Sequence, residues 1–206
     1  MPQSIDFGKS VDSCTILAEI RTIKVGRFEP ATSSHSNEST MDIDNHADKT
    51  VLGSKFLQTH DFEILVDVSG WNASAGSVKG PTISGDIAYA HPISGQVYIL
   101  MYDQAIHWKL FTSHLMSPMQ SIMELVIIDE LPRLLAEYPD ENTHAIIVDD
   151  PLNPNEPLII LLALKGVTIY FPSRNPKASE YEDESITHID MTSEDPVWEL
   201  YDTGFA

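Results

Sequence analysis

Through the middle of the chain, apolar residues alternate with polar ones instead of recurring every third or fourth position. Phe62-Glu63-Ile64-Leu65-Val66-Asp67-Val68 puts apolar side chains at 62, 64, 66 and 68 on one face, the period-two signature of a half-buried strand. Ile83 to Tyr89 and Gln96 to Tyr102 flank a Pro-Ile-Ser-Gly turn at 92–95, which predicts a hairpin. Thr50-Val51-Leu52 is a short apolar segment ended by Gly53. Met41 to about Met116 therefore reads as an all-β meander, with a loop of small residues at 69–77. Upstream, apolar positions at 16, 18, 20, 23 and 25 fit a flanking strand that slips near Thr22. Residues 29–40 hold nothing large to bury and predict a mobile linker.

The pattern changes at Ser117-Pro118-Met119-Gln120. Serine suits an N-cap, proline the first helical position, and glutamine three residues on can complete a capping box. Apolar residues at 119, 122, 123, 126 and 127 then share one helical face, and Pro132 stops the helix by Leu131. Arg133 to Glu137 is a candidate second short helix. Ala145 to Val148 and Leu158 to Leu164 read as buried strands around the proline-rich acidic turn at 149–157. Lys165-Gly166 should turn the second of them into Val167 to Phe171 as a hairpin. From Lys177 to Ala206 an extended acidic tail is expected, docked by Ile189, Val197, Trp198 and Tyr201. The fold class is mainly β (α+β), with one or two short helices and a C-terminal β-hairpin extension. The expected division is 1–40 as strand and linker, 41–131 as a β domain, 132–176 as the hairpin extension and 177–206 as the tail.

Composition narrows the partners. A formal net charge of -19 with no Lys/Arg cluster argues against nucleic acid and against an anionic membrane, since phosphate binding needs grouped cations. Cys14 is the sole cysteine, which removes intrachain disulfides and cysteine-based zinc sites and fits a reducing compartment. The N-terminal residues lack a basic start followed by an apolar run, and Leu158 to Leu164 falls far short of the about 20 residues of a membrane helix. The expectation is a soluble, intracellular, cytoplasmic protein without a cofactor.

The chemistry concentrates in Ile43-Asp44-Asn45-His46-Ala47-Asp48-Lys49-Thr50-Val51-Leu52. This stretch resembles the active-site strand and turn of retroviral-type aspartic proteases, apolar-Asp-Thr/Ser-Gly-Ala-Asp-x-Thr-Val-Leu, with Asp44 at the catalytic carboxylate. Asn45 stands where the family has a hydroxyl residue and His46 where it has glycine. A subset of copia-type retrotransposon polyproteins reads Leu-Asp-Ser-His-Ala-Asp-Thr here. His114-Leu115-Met116-Ser117-Pro118-Met119-Gln120 is similar to their second buried strand running into a helix. Leu164 to Arg174 and Glu194-Asp195-Pro196-Val197-Trp198 look like segments that follow it, so the resemblance spans roughly residues 40 to 200.

The resemblance implies a retropepsin-like closed β domain over 41–131 that acts on a polypeptide substrate. One such turn supplies half a site, so activity implies a homodimer in which two copies of Asp44 share a proton and polarise water. Asn45, His46, Ala47 and Asp48 would support the turn, and Trp71 would lie in a substrate flap with Gly76, Gly80 and Gly85. The departures matter chemically. An amide cannot donate and accept through one rotating group, and His46 brings a Cβ where glycine's freedom of φ is used. The alternative is a catalytically inactive remnant serving as an interaction or dimerisation module. Asp44, His46 and Asp48 also alternate as strand-borne ligands would, but i, i+2, i+4 spacing is awkward around one ion, and no metal is expected.

Overall fold

The computed structural model describes residues 37–69 and 77–193, with the side chains of 69, 77 and 78 left out. The chain divides into two compact units, Met1–Ser34 with Asp67–Val78, and His35–Val66 with Lys79–Ala206. Only short strand ends of the first unit are described. The strand expected at 14–25, most of the linker, Trp71 and Gly76, and the tail residues Val197, Trp198 and Tyr201 lie outside the described residues.

The described residues are mainly β. In chain order they form β1 (Glu38–Ile43), β2 (Val51–Leu52), β3 (Leu57–Ser69), β4 (Ser77–Ala90), β5 (Val97–His107) and β6 (His114–Met116). Then come α1 (Pro118–Met123), β7 (Ile127–Asp129), β8 (Ala145–Val148), β9 (Leu158–Leu161), β10 (Ala163–Lys165), β11 (Thr168–Arg174), α2 (Ala178–Tyr181) and β12 (Thr187–Asp190). The larger sheet runs β10-β11-β1-β6-β2-β5-β4-β3, with β12 beside β5. A bridge between Arg174 and Ala88 joins β11 to β4 and closes β11, β1, β6, β2, β5 and β4 into a ring. A smaller antiparallel sheet has the order β7-β8-β9.

The expected hairpin is β4–β5, paired antiparallel from Ala90↔Val97 onward, with Gly95 at φ 73 in its turn. Left-handed backbone there is open to glycine at no steric cost. β5 is buried on both faces, so Ile99 and Leu100, adjacent in sequence, are both fully enclosed. That is why its first six residues, Val97 to Tyr102, are apolar or aromatic without alternation. β10 and β11 form the second hairpin, closed by Gly166 at φ 66 and Val167. A single hydrophobic cluster gathers Met41, Leu100, Tyr102, Met116 and Phe171 from the ring with Ile146 and Ile160 from the small sheet. Residues beyond 131 thus share the core of the β domain.

Several expectations are corrected. The helix begins at Pro118 but stops at Met123, because its inward side carries Gln120 and Ser121 while Met119, Ile122 and Met123 are exposed. Leu125, at φ 63, turns the chain away into β7. Residues 133–137 make a turn, with Leu135 N–H on the Pro132 carbonyl and the Arg133 guanidinium on the carbonyls of Glu141 and Thr143. The second short helix is α2 instead. Glu38, Ser39 and Thr40, read as linker, are the first residues of β1. The 158–164 run breaks where Leu162 N–H bonds the His144 carbonyl, which hands β9 and β10 to different sheets. Within the supposed tail, β12 pairs with β5 in parallel, and Ile189 is buried as expected. Gly80 and Gly85, read as flap-like, belong to β4, where Gly85 sits under Phe56 and Leu52.

Candidate functional site

The turn at 44–49 is held by strands that arrive much later in the chain. β6 lies between β1 and β2, parallel to β1 (Met41↔His114, Ile43↔Met116) and antiparallel to β2 (Val51↔Leu115). The two arms of the turn are therefore separated by an inserted strand. Asp44 N–H continues the ladder onto the Met116 carbonyl at 3.1 Å. Past Met116 the chain enters Ser117 and α1, and the turn wraps this junction.

Thr50 is the clamp. It is fully buried; its hydroxyl accepts from Ser117 N–H at 3.2 Å and its own N–H donates to Gln120 Oε1 at 2.7 Å. The expected capping box does not form: Ser117 makes no side-chain cap, and Gln120 serves Thr50 instead. Thr50 also offers its carbonyl to Ile106 N–H of β5 at 2.8 Å. Of these bonds only the one from Ser117 N–H uses the side chain, and a hydrocarbon of the same size would leave that buried donor bare.

Behind the clamp sits His114 on β6, 1% exposed. Its Nδ1 accepts from Gly53 N–H at 3.0 Å, which leaves the proton on Nε2, 3.1 Å from the Lys55 carbonyl. Burial holds the imidazole down at about 4, against the opposing pull of the Lys55 carbonyl, so it is neutral across the physiological range. Gly53 has no alternative here, because a Cβ would press on the carbonyl oxygens of Ser113 and Phe111, the latter at 2.6 Å.

The turn itself faces outward. Asp44 is half-buried; its Oδ1 accepts from His46 N–H at 2.9 Å and its carbonyl from Ala47 N–H at 3.0 Å. The Asp-x-His geometry is thus a local turn, and Asp44, His46 and Asp48 do not alternate along a strand. Asn45, His46 and Asp48 are exposed and Ala47 is half-buried. The Asn45 amide donates to Glu130 Oε2, just beyond β7, at 2.8 Å. No family model matches the chain, and no curated protein or solved structure matches it. Chemically, the turn presents two carboxylates, Asp48 exposed and Asp44 half-buried, the latter oriented by a backbone N–H.

Burial also shifts two ionisable groups beside and within the turn. Asp42 on β1 is half-buried; burial raises its pKa, against the Thr40 hydroxyl and the charge of Lys165. Burial also lowers the Lys49 amine. An open cavity of about 390 Å³ is walled by Pro151, Leu152, residues 181–184 and residues 186–188, and no residue of the 44–49 turn lines it. Among the described residues, no group of three His, Cys, Asp or Glu side chains is placed to hold a metal ion. No helix among them is long and apolar enough to cross a membrane. The sequence reading missed Thr50, Gln120 and His114 as the support of the turn. The signal was present, since Thr50 and His114 lie inside the two quoted motifs, but their partners come from separate stretches of chain.

Proposed function

We propose that this chain is a retropepsin-like domain of a copia-type retroelement polyprotein, working as a homodimeric aspartic endopeptidase. Asp44 of each copy would supply one carboxylate of a pair that shares a proton. The pair takes a proton from water, whose oxygen adds to a substrate carbonyl. Collapse of the adduct breaks the C–N bond and passes a proton to the leaving amine. The observation that carries this reading is the placement of Asp44 directly after β1, beside an inserted β6 that runs into α1, with its half-buried carboxylate oriented by His46 N–H.

The experiment compares the wild-type protein with Asp44→Asn on an unfolded protein substrate across acidic and neutral pH, with the mass in solution measured alongside. Asn keeps an Oδ1 for His46 N–H, so the turn should stay intact while cleavage disappears. Equal cleavage by both, or none by a verified wild-type dimer, would remove the enzyme reading.

A second reading, a catalytically inactive interaction module, is favoured by one contact. The Asn45 amide, which stands at the position of the interlocking hydroxyl, is engaged by Glu130 of its own chain. Asn45→Thr separates the two readings. If the intrachain contact blocks pairing, the variant should gain dimer and cleavage together.

A further inference from the structure

The segment from α1 to Tyr138 is unusually apolar for a surface. Nine of the exposed large hydrophobic residues lie between 119 and 138, with Leu125 and Leu134 each 84% exposed and Tyr138 85% exposed. Scattered exposed leucines need no explanation, but a run of this density on one stretch does. The fold creates it actively. Thr50 draws Gln120 inward and turns Met119, Ile122 and Met123 out, and the positive φ of Leu125 leads into β7, the edge of its sheet, with Ile127 61% exposed.

The same stretch is acidic. Between 119 and 141 the chain carries six carboxylates and one cation, Arg133, whose guanidinium is occupied by the carbonyls of Thr143 and Glu141. A second copy is a poor occupant of this band, because a two-fold contact through it would set its six carboxylates against the same six of the other copy. We infer that this band is a docking surface for a basic amphipathic segment of another protein, with Leu-type side chains against the apolar band and Lys or Arg against its acidic rim. The match is apolar contact for affinity and opposite charge for choice of partner and speed of encounter. It stands independently of the protease reading, since it uses no property of Asp44.

The test uses the full chain and two synthetic amphipathic peptides, one of Leu and Lys and one of Leu and Glu, with binding read by fluorescence anisotropy. The Leu/Lys peptide should bind and the Leu/Glu peptide should not. Leu125→Asn with Leu134→Ser removes apolar contact, and Asn tolerates the backbone at 125. Glu124→Lys with Glu137→Lys changes the rim, and Glu182→Lys with Glu184→Lys makes the same charge change outside the band. The first two variants should weaken binding by about tenfold or more, equivalent to at least ~1.4 kcal/mol, and the third should bind as wild type. Equal binding of both peptides, unchanged binding by the first two variants, or equal loss in the third would overturn the proposal. So would a dimer that Leu125→Asn/Leu134→Ser dissolves, which would assign the band to a second copy. Resistance of Met119 and Met123 to peroxide in the free chain would show that the band is already covered, and would overturn it too.

Discussion

Replacing Asp86 with Asn would separate two titrations that oppose one another in this fold. Asp86 lies on β4, 2% exposed, with Oδ2 lacking a hydrogen-bond partner among the described residues. Burial pushes its carboxyl up to about 6 from 3.8; the Tyr181 hydroxyl opposes this, and the charges of Asp103 and Asp190 add to it. A carboxyl raised in the folded state stabilises below 3.8, and that contribution is lost as pH rises through about 6. At 1.36 kcal/mol per unit this is about 3 kcal/mol. His114 works the other way. Its value is lowered from 6.5 to about 4, so its contribution is complete above 6.5 and is lost, by about 3 kcal/mol, as pH falls through 4. In the wild-type protein the two slopes nearly cancel between about pH 4 and 6. Asp86→Asn keeps the acceptor for Tyr181 and removes the charge. It should gain about 3 kcal/mol at neutral pH, less ~1 kcal/mol for an unpartnered amide, raising Tm by about 4–8 °C. On acidification the variant should lose its advantage, leaving the slope of His114 exposed. Urea denaturation followed by far-UV circular dichroism at several pH values between 4 and 8 gives the difference directly. A variant no more stable than wild type at neutral pH, or one with the same pH slope, would refute the reasoning.

Gly53→Ala should destabilise the protein by about 3 kcal/mol, the upper end of overpacking costs, because the new Cβ meets backbone oxygens that cannot rotate away; a denaturant midpoint measures it. Tyr102 is fully buried with its hydroxyl lacking a partner among the described residues, so Tyr102→Phe should stabilise by about 1 kcal/mol by calorimetry. Arg174 holds Glu180 with two bonds of 2.7 Å and its side-chain hydrogen bonds keep that carboxyl at about 2. Arg174→Lys loses the fork, and carboxyl NMR should show Glu180 titrating closer to 4.5. The stability it costs should be under ~1 kcal/mol near neutral pH and should vanish as acid protonates Glu180.

The strands of the ring were legible where the chain itself repeats the pleat. The Pro-Ile-Ser-Gly turn between two apolar runs gave the β4–β5 hairpin, and Lys165-Gly166 gave β10–β11. β1 was half-hidden because Ser39 and Thr40 bury little and are ordered by backbone pairing to β11, with β6 joining only from Met41 onward. β12 was hidden for a related reason: four residues in an acidic stretch find their place only through the parallel ladder to β5. The helix was overread because 119, 122 and 123 share a face whatever that face meets. Only the pull of Thr50 on Gln120 decides that the polar side goes in. Within the candidate site, the local turn of Asp44 was readable from the motif, whereas the Asn45–Glu130 contact joins residues 85 apart.

The insertion of β6 between β1 and β2 also sets an order of events during synthesis. Met41 finds its neighbours at His114 and Phe171, 73 and 130 residues further along the chain. Closing such long loops is entropically slow, and a chain emerging from the ribosome has neither partner when Asp44 first reaches solvent. The strand leading into Asp44 therefore waits without either partner until β6 has been made, and with one edge still open until β11 follows. Any activity that depends on this turn is withheld from the nascent chain and appears only after β11 has emerged to complete the ring.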